Sequence, residues 1–427
     1  MNQDIGLHRR LLIIFSIVFA GEIIFSLPFH VARFFRPTLL DVFGITNAQL
    51  GDVFGLYGVV AMLAYLPGGA IADRFSGRRL MSFSLFATAL GGVYFVQIPD
   101  NNGLILLFAY WGLTTILLFW ASMIKVTRQW GGETTQGKAF GILDGGRGLV
   151  AAGVASIAVL ILTMFLPTNT EAMTAAQQTS ALKAVITFYS LMTLLAAIVI
   201  LFAIPKDKSE TAKAITLDRD FSTLAGILAV IRQPKVWLQA LIVLAAYCAY
   251  KSLDYFGLYA TTVLGLNELD SARLVANASY LRPIAAITAG IIADKLRAGR
   301  VISWCFVLLS ACYLLFSLLD PVSVNSTFII EINLLLTFLL VFAIRGVYFA
   351  LLEESKLSGK LTGTAVGIIS VVGFTPDIFV APVAGRILDS APGIEGFNQL
   401  FLLLAVLSAL GFIMALTLAK RVKSGSP

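Results

Sequence analysis

Apolar stretches about as long as a bilayer is thick follow one another along almost the whole of this chain. Leu, Ile, Val, Phe and Ala fill runs of roughly 20 residues, the length a helix needs to cross about 30 Å of hydrocarbon. Backbone groups in lipid must be satisfied within the spanning structure, and these continuous runs lack the alternation of a barrel strand. The chain therefore reads as an all-α integral membrane protein. Twelve transmembrane helices are expected, over 11–35, 50–72, 80–97, 104–124, 139–164 and 182–204, then 236–264, 273–293, 301–319, 327–352, 361–388 and 397–419.

Only 13% of the 427 residues are charged, against roughly 25% in a soluble domain. The longest polar stretch, 205–235, divides the chain into an N-terminal six-helix bundle (1–204) and a C-terminal one (236–427). It reads as a cytoplasmic linker, with an amphipathic surface helix around Phe221–Ile231. Arg9, Arg10, Arg74, Arg78, Arg79, Lys125, Arg128, Lys138, Lys295, Arg297, Arg300, Lys356, Lys360, Lys420, Arg421 and Lys423 fall in one set of loops. The opposite loops, such as Ile98–Gly103, Thr168–Ser180 and Asp320–Glu331, carry no basic residue. The positive-inside rule then puts both termini in the cytoplasm. The net charge of +7 is spread over loops and forms no nucleic-acid patch. Cys248, Cys305 and Cys312 lie in apolar segments without metal-ligand spacing and read as packing residues. The apolar run after Arg10 exceeds a signal h-region and has no small-residue cleavage site.

Two segments 221 residues apart are near copies. One is Gly69-Ala70-Ile71-Ala72-Asp73-Arg74-Phe75-Ser76-Gly77-Arg78-Arg79. The other is Gly290-Ile291-Ile292-Ala293-Asp294-Lys295-Leu296-Arg297-Ala298-Gly299-Arg300. Gly137–Ile142 and Gly363–Ile368 echo each other at an offset of 226. Duplication of a membrane unit explains both, and parallel repeats are one way in which secondary transporters are built.

Six plus six spans and the pattern G-x-x-x-D-R-x-x-G-R-R after the second resemble the major facilitator superfamily and its loop 2–3 motif, with Gly290 to Arg300 similar to the weaker loop 8–9 copy. One extra residue intervenes here, since both Phe75 and Ser76 separate Arg74 from Gly77. The resemblance implies that Gly69, Asp73, Arg74, Gly77, Arg78, Gly290, Asp294 and Lys295 serve the conformational cycle, with Asp73 capping the start of the eleventh span near Leu361–Thr364. The Gly-Pro pair of the family's drug antiporters is missing from Gly141–Gly148, and the Arg-containing motif of the fourth span is absent. Pro28 to Gly69 resembles the organophosphate and organic-anion branches, in which basic residues of the first and seventh spans serve the substrate. Arg33 and Lys251 are the candidates.

Charges inside a membrane are functional candidates by default. Here they are Glu22, Asp144, Arg147, Lys251, Asp254, Arg282, Arg345 and Asp377, with Arg33 and Arg36 near the end of the first span. In the family fold all would lie on cavity-lining or flanking spans, and none on the third, sixth, ninth or twelfth. Lys251, Arg282, Arg345, Arg33 and Arg147 suit an anionic group, and Tyr255 adds a hydroxyl, as do Tyr57, Tyr250, Tyr259, Tyr280 and Tyr348. Lys251 with Asp254, and Asp144 with Arg147, are also spaced for ion pairs within one helix. Glu22, Asp377 and Asp254 are the candidate proton carriers. Glu22 has no basic residue one turn away, which favours protonation over pairing. His8 and His30 form no metal pair, and Glu353, Glu354, Lys356 and Lys360 read as gate or surface residues.

The expected function is secondary transport of a small anionic organic solute by alternating access, as a proton symporter. The chain is expected to work as a monomer in a bacterial inner membrane, with the solute, protons and the lipid bilayer as partners. No cofactor, metal, nucleic acid or enzymatic cluster is expected. An exporter of amphiphilic cations or drugs and a non-transporting membrane sensor are the alternatives.

Overall fold

In the computed structural model, residues 6–132, 136–165, 174–205, 228, 230–319, 324–351 and 362–424 are described, and they form helices and no strand. Among the described residues, ten helices are long and apolar enough to cross a membrane. Leu7–Ile23 with Ser26–Phe34 makes an eleventh as a pair bent by 42°. Gly77–Phe95, 19 residues long, fills the place of the third span. The remaining expected spans correspond to Asn47–Arg74, Asn101–Gly131, Gln136–Thr163, Ala175–Ala203, Pro234–Thr262, Glu268–Leu296, Ala298–Leu318, Val324–Val347, Thr362–Ser390 and Ile394–Ser424.

Several spans expected as single helices are broken, and at three of the breaks a proline explains it. Pro28 has no N–H for the Ile24 carbonyl, and its ring crowds that turn; the first span relaxes into a π-helical turn, Ser26–His30. Pro283 and Pro376 act alike, where the chain turns at Tyr280 and at Phe374–Thr375. The seventh span tightens into a 3₁₀ turn at Leu253–Tyr255 without proline. At every one of these sites a hydroxyl takes up a helix carbonyl. Ser26 donates to Ile23 O at 2.7 Å, Ser252 to Ala249 O at 2.7 Å, Ser279 to Val275 O at 2.8 Å, and Thr375 to Val372 O at 2.7 Å. Side-chain hydroxyls are a standard way to satisfy backbone freed within a membrane.

The helices gather into two compact units. One comprises Met1–Ala214 with Asp254–Tyr280, the other Ile215–Leu253 with Leu281–Pro427. Within the first, the third span packs on the sixth, the second on the fourth, and the first on the fifth. Within the second, the same pairings recur as ninth on twelfth, eighth on tenth, and seventh on eleventh. The expected linker lies mostly outside the described residues, as do Leu361 and the side chains of 362–364.

The solvent of these units is apolar. On the third span Phe83, Phe86, Leu90 and Val93 form one exposed stripe at helical spacing, while Met81, Leu85, Thr88 and Ala89 are buried behind it. In water such a stripe would drive aggregation; in a bilayer it meets acyl chains. Helices surrounded by lipid associate through close packing at small residues. A Cβ on Gly68 would stand 2.7 Å from the Leu117 carbonyl oxygen, and one on Gly77 2.7 Å from Val126. Around Gly69 nothing lies within 4 Å.

Gly68→Ala should therefore lower stability by about 1–3 kcal/mol, the range for overpacking. Gly69→Ala should leave it unchanged or raise it by up to ~1 kcal/mol, the helix-propensity difference. Thermal melts of the two purified variants in detergent check this.

Candidate functional site

The intramembrane charges collect at the helix breaks. Glu22 is the next-to-last residue of its helix, and His30 ends the π-helical turn. Arg33 and Arg36 flank the next interruption at Phe35. Lys251, Asp254 and Tyr255 lie at the 3₁₀ turn of the seventh span. Arg282 follows the turn at Tyr280, Asp377 follows the one at Phe374–Thr375, and Arg345 stands two residues before the end of the tenth helix. Among the sequence candidates only Arg147, with Asp144, lies inside an uninterrupted helix.

In the first unit Glu22 is buried and holds two partners. Its Oε2 accepts the Nε–H of Arg147 at 2.9 Å, and its Oε1 lies 3.3 Å from His30 Nε2. The Arg147 guanidinium also sits 5.6 Å from the Phe25 ring and 6.0 Å from that of Trp120. Glu22 is thus held by a cation from a span 125 residues away, which local spacing had no means of showing.

A second group in the same unit joins the first span to the seventh and eighth. Arg33 Nε donates to Asp254 Oδ1 at 2.5 Å, with both side chains buried. Arg36, 1% exposed, donates to Asn47 Oδ1 at 3.1 Å and lies 4.3 Å above the Tyr255 ring. Thr38 donates to Glu268 at 2.9 Å, and Gln178 donates to the other Glu268 oxygen. Asp254, expected as a proton carrier, is the carboxylate of a tight ion pair. Tyr255, expected to offer a hydroxyl to substrate, presents its ring to Arg36.

In the second unit Lys251 Nζ lies 3.2 Å from Asp377 Oδ1. The Tyr247 hydroxyl, 3.2 and 3.1 Å from the two Asp377 oxygens, donates to the same carboxylate. Arg345 stacks 3.8 Å from the Tyr250 ring and 5.9 Å from that of Tyr247. Arg282 is buried in the eighth span. Lys251 and Asp377, given separate roles in the sequence reading, here share one contact.

The repeated motif has a different character. Asp73, Arg74, Asp294 and Lys295 are exposed, and the segment expected to meet Asp73 lies outside the described residues or has no described side chains. Arg78 donates to Leu201 O at 3.1 Å. Lys125 donates to Ala72 O at 2.6 Å and Phe75 O at 3.4 Å, so it caps the end of the second span; as a loop basic it had not been singled out. The helices also start earlier than expected, which puts Arg78 and Arg79 in the first turn of the third span and Lys183 in the third turn of the sixth. Charges are therefore not confined to the lining and flanking spans.

Sequence reasoning missed His30, Tyr247 and the second interruption at Phe35. The signal for the first was its place two residues after Pro28. Tyr247 carried a faint one, a tyrosine one turn before Lys251.

A family model described as Major Facilitator Superfamily matches residues 11–379. The inner membrane protein YqcE of Escherichia coli (strain K12) is 29% identical over 416 residues, 96% of this chain and 94% of that protein. A probable nitrate/nitrite antiporter, NarK1, of Thermus thermophilus is 26% identical over 274 residues, 62% of this chain and 57% of its own. Among solved structures, a bacterial homologue of the human lysosomal transporter Spinster, inward-facing and unoccupied, superposes with a TM-score of 0.72 at 13% identity, covering 100% of this chain and 99% of that one.

The Arg33–Asp254 pair makes a sharp prediction. Breaking a buried pair from one side typically costs about 3–5 kcal/mol, more than removing both partners. Arg33→Ala should destabilise the protein by that order, and the double variant with Asp254→Ala should recover most of the loss. A double-mutant cycle of melting free energies reads the coupling.

Proposed function

Because the chain belongs to the major facilitator superfamily and is a multi-pass secondary transporter by family and fold, we propose that its solute is a small organic anion moved by alternating access with a proton. One observation carries the anionic part. Among the described residues the buried charged side chains are Arg33, Arg36, Arg147, Lys251 and Arg282 against Glu22 and Asp254. Five buried cations stand against two buried carboxylates, with Asp377 half-buried beside Lys251, and in low dielectric a positive balance of buried charge favours an anion. The half-buried Arg345 stacks on Tyr250, the residue before Lys251, and the half-buried Asp377 stands on the acidic side of the balance. The relative named as a probable nitrate/nitrite antiporter has a name that denotes an anion carrier, which agrees with this reading.

The proposed roles follow. Lys251, Arg282 and Arg345 hold the anionic group, with Arg33 and Arg147 as further cations and Tyr255 beside Arg36. Asp377 competes with the solute for Lys251, so solute entry opens that pair. Glu22, Asp254 and Asp377 are the carboxylates available for proton coupling. The exposed Asp73 and Arg74, with Gly69, Gly77, Arg78, Gly290, Asp294 and Lys295, belong to the conformational latch. Both termini face the cytoplasm of a bacterial cell, and the protein works as a monomer in the inner membrane. A cation exporter would need an acidic, aromatic-lined site, and the buried charge balance runs against it.

A thermal-shift screen of purified protein against carboxylates, phosphates, sulfonates, neutral sugars and lipophilic cations tests the proposal. An anion at about 100 times its Kd should stabilise the fold by about 2.7 kcal/mol. Lys251→Ala and Arg282→Ala should abolish that shift while still melting cooperatively. Stabilisation only by lipophilic cations would overturn the reading and make Glu22 and Asp377 the binding groups of an exporter.

A further inference from the structure

The contact between Glu22 and His30 goes beyond the carboxylates as proton carriers. The chain has two histidines. His8 is exposed, and His30 is buried at the end of the π-helical turn that Pro28 creates. Its ring stands edge-on to Phe34 at 5.6 Å and to Tyr189 at 6.0 Å, and its Nε2 faces Glu22 Oε1 at 3.3 Å. The other Glu22 oxygen is held by Arg147 at 2.9 Å.

The three groups have unequal freedom. Arg147 keeps its charge at any physiological pH. Glu22 lies against that fixed cation, so the two form a neutral pair. His30 is the member whose type changes charge near neutrality. The turn that carries it packs against the helix Val31–Phe34 that follows it and against the first, third, fifth and sixth spans. The titratable or charged groups on those elements are Arg33 on Val31–Phe34, itself paired with Asp254, Glu22 on the first span, Asp144 and Arg147 on the fifth, and Tyr189 on the sixth; the third span meets the turn with Gly92 against Leu27. Nε2 faces a carboxylate, so it carries the N–H of the neutral ring and donates towards Glu22 Oε1. A proton arriving from water goes on the other ring nitrogen, Nδ1, giving an imidazolium beside Glu22, and it leaves by the same atom.

We propose that the His30–Glu22 couple is the coupling-ion site, a proton site with Arg147 as its fixed counter-charge. This rests on the proton-coupled part of the function proposed above and is independent of the solute's identity. Loading changes the cluster from neutral to singly positive, and the site lies at the π-helical turn of the first span. His30, which the sequence reading set aside, becomes the proton-carrying residue, and Glu22 the group that orients and stabilises the loaded form.

The scarcity of histidine makes the test direct. Protein labelled with ¹⁵N-histidine and carrying His8→Gln reports His30 alone. Its imidazole resonances should pass reversibly from the neutral to the doubly protonated pattern between pH 5 and 8, and the midpoint in Glu22→Gln should differ by about one unit or more. A resonance that keeps one protonation state over that range, or a midpoint indifferent to Glu22→Gln, would overturn the proposal. In proteoliposomes, His30→Gln should abolish solute-driven proton movement while the thermal shift by the same solute persists; proton movement that survives would also overturn it. If His30→Gln fails to fold, the titration of native His30 still decides. If His30 titrates as expected and no anion stabilises the protein, the anion reading fails and this site stands.

Discussion

A charge in hydrocarbon must be matched within the protein, and most of what distinguishes these two units follows from that requirement. On insertion scales an unmatched charge at a helix centre costs about 2.5–3.5 kcal/mol. Glu22 answers it with Arg147 and His30, Asp254 with Arg33, and Asp377 with Lys251 and Tyr247. Arg345 and Arg36 answer it in part with aromatic faces. Apart from Glu22 with His30, each match joins different spans, so the buried charges also stitch the helices together.

The helix breaks serve the same requirement. A straight helix presents its side chains at fixed angles, and a carboxylate on one helix reaches a cation on another only where the geometry allows. Where Pro28, Pro283 and Pro376 remove a backbone donor, the chain turns, and Ser26, Ser279 and Thr375 take up a nearby carbonyl. The backbone stays satisfied while the neighbouring charged side chains are re-aimed. Discontinuous helices at binding sites are a recurrent device of secondary transporters.

The spans, the duplication and the family were legible because each rests on a local or repeated pattern. The apolar runs show length, and the two G-x-x-x-D segments show the repeat that reappears as matched helix pairings. The breaks were half legible, since Pro28, Pro283 and Pro376 stood in the sequence, whereas the 3₁₀ turn at Leu253–Tyr255 has no proline to announce it. The ion-pair partners were not legible. Spacing offered Asp254 to Lys251 and Asp144 to Arg147 and gave no sign of Asp377 beside Lys251 or Glu22 beside Arg147, which approach only once helices far apart in sequence have packed. His30 escaped for the same reason, being a lone histidine on an apolar stretch until the fold brings it to Glu22. Gly68, not the motif's Gly69, makes the close approach, a distinction of one residue that depends on helix rotation.

Charge balance also bears on why an anion and a proton would travel together. Moving one net charge across a membrane changes its energy by about 2.3 kcal/mol per 100 mV. A monovalent anion carried alone into a cell that is negative inside works against that field. A proton carried with it makes the cargo neutral, so the membrane potential drops out and the proton gradient alone drives accumulation. The buried charges suit that arithmetic. The second unit holds Lys251, Arg282 and Arg345 with Asp377, a balance that the proposed anion would shift. The first offers the neutral Glu22–Arg147 pair with an imidazole beside it, which a proton renders positive. With the proposed roles, one unit would gain a negative charge on loading and the other a positive one, and the loaded protein would return to the net charge of the empty one.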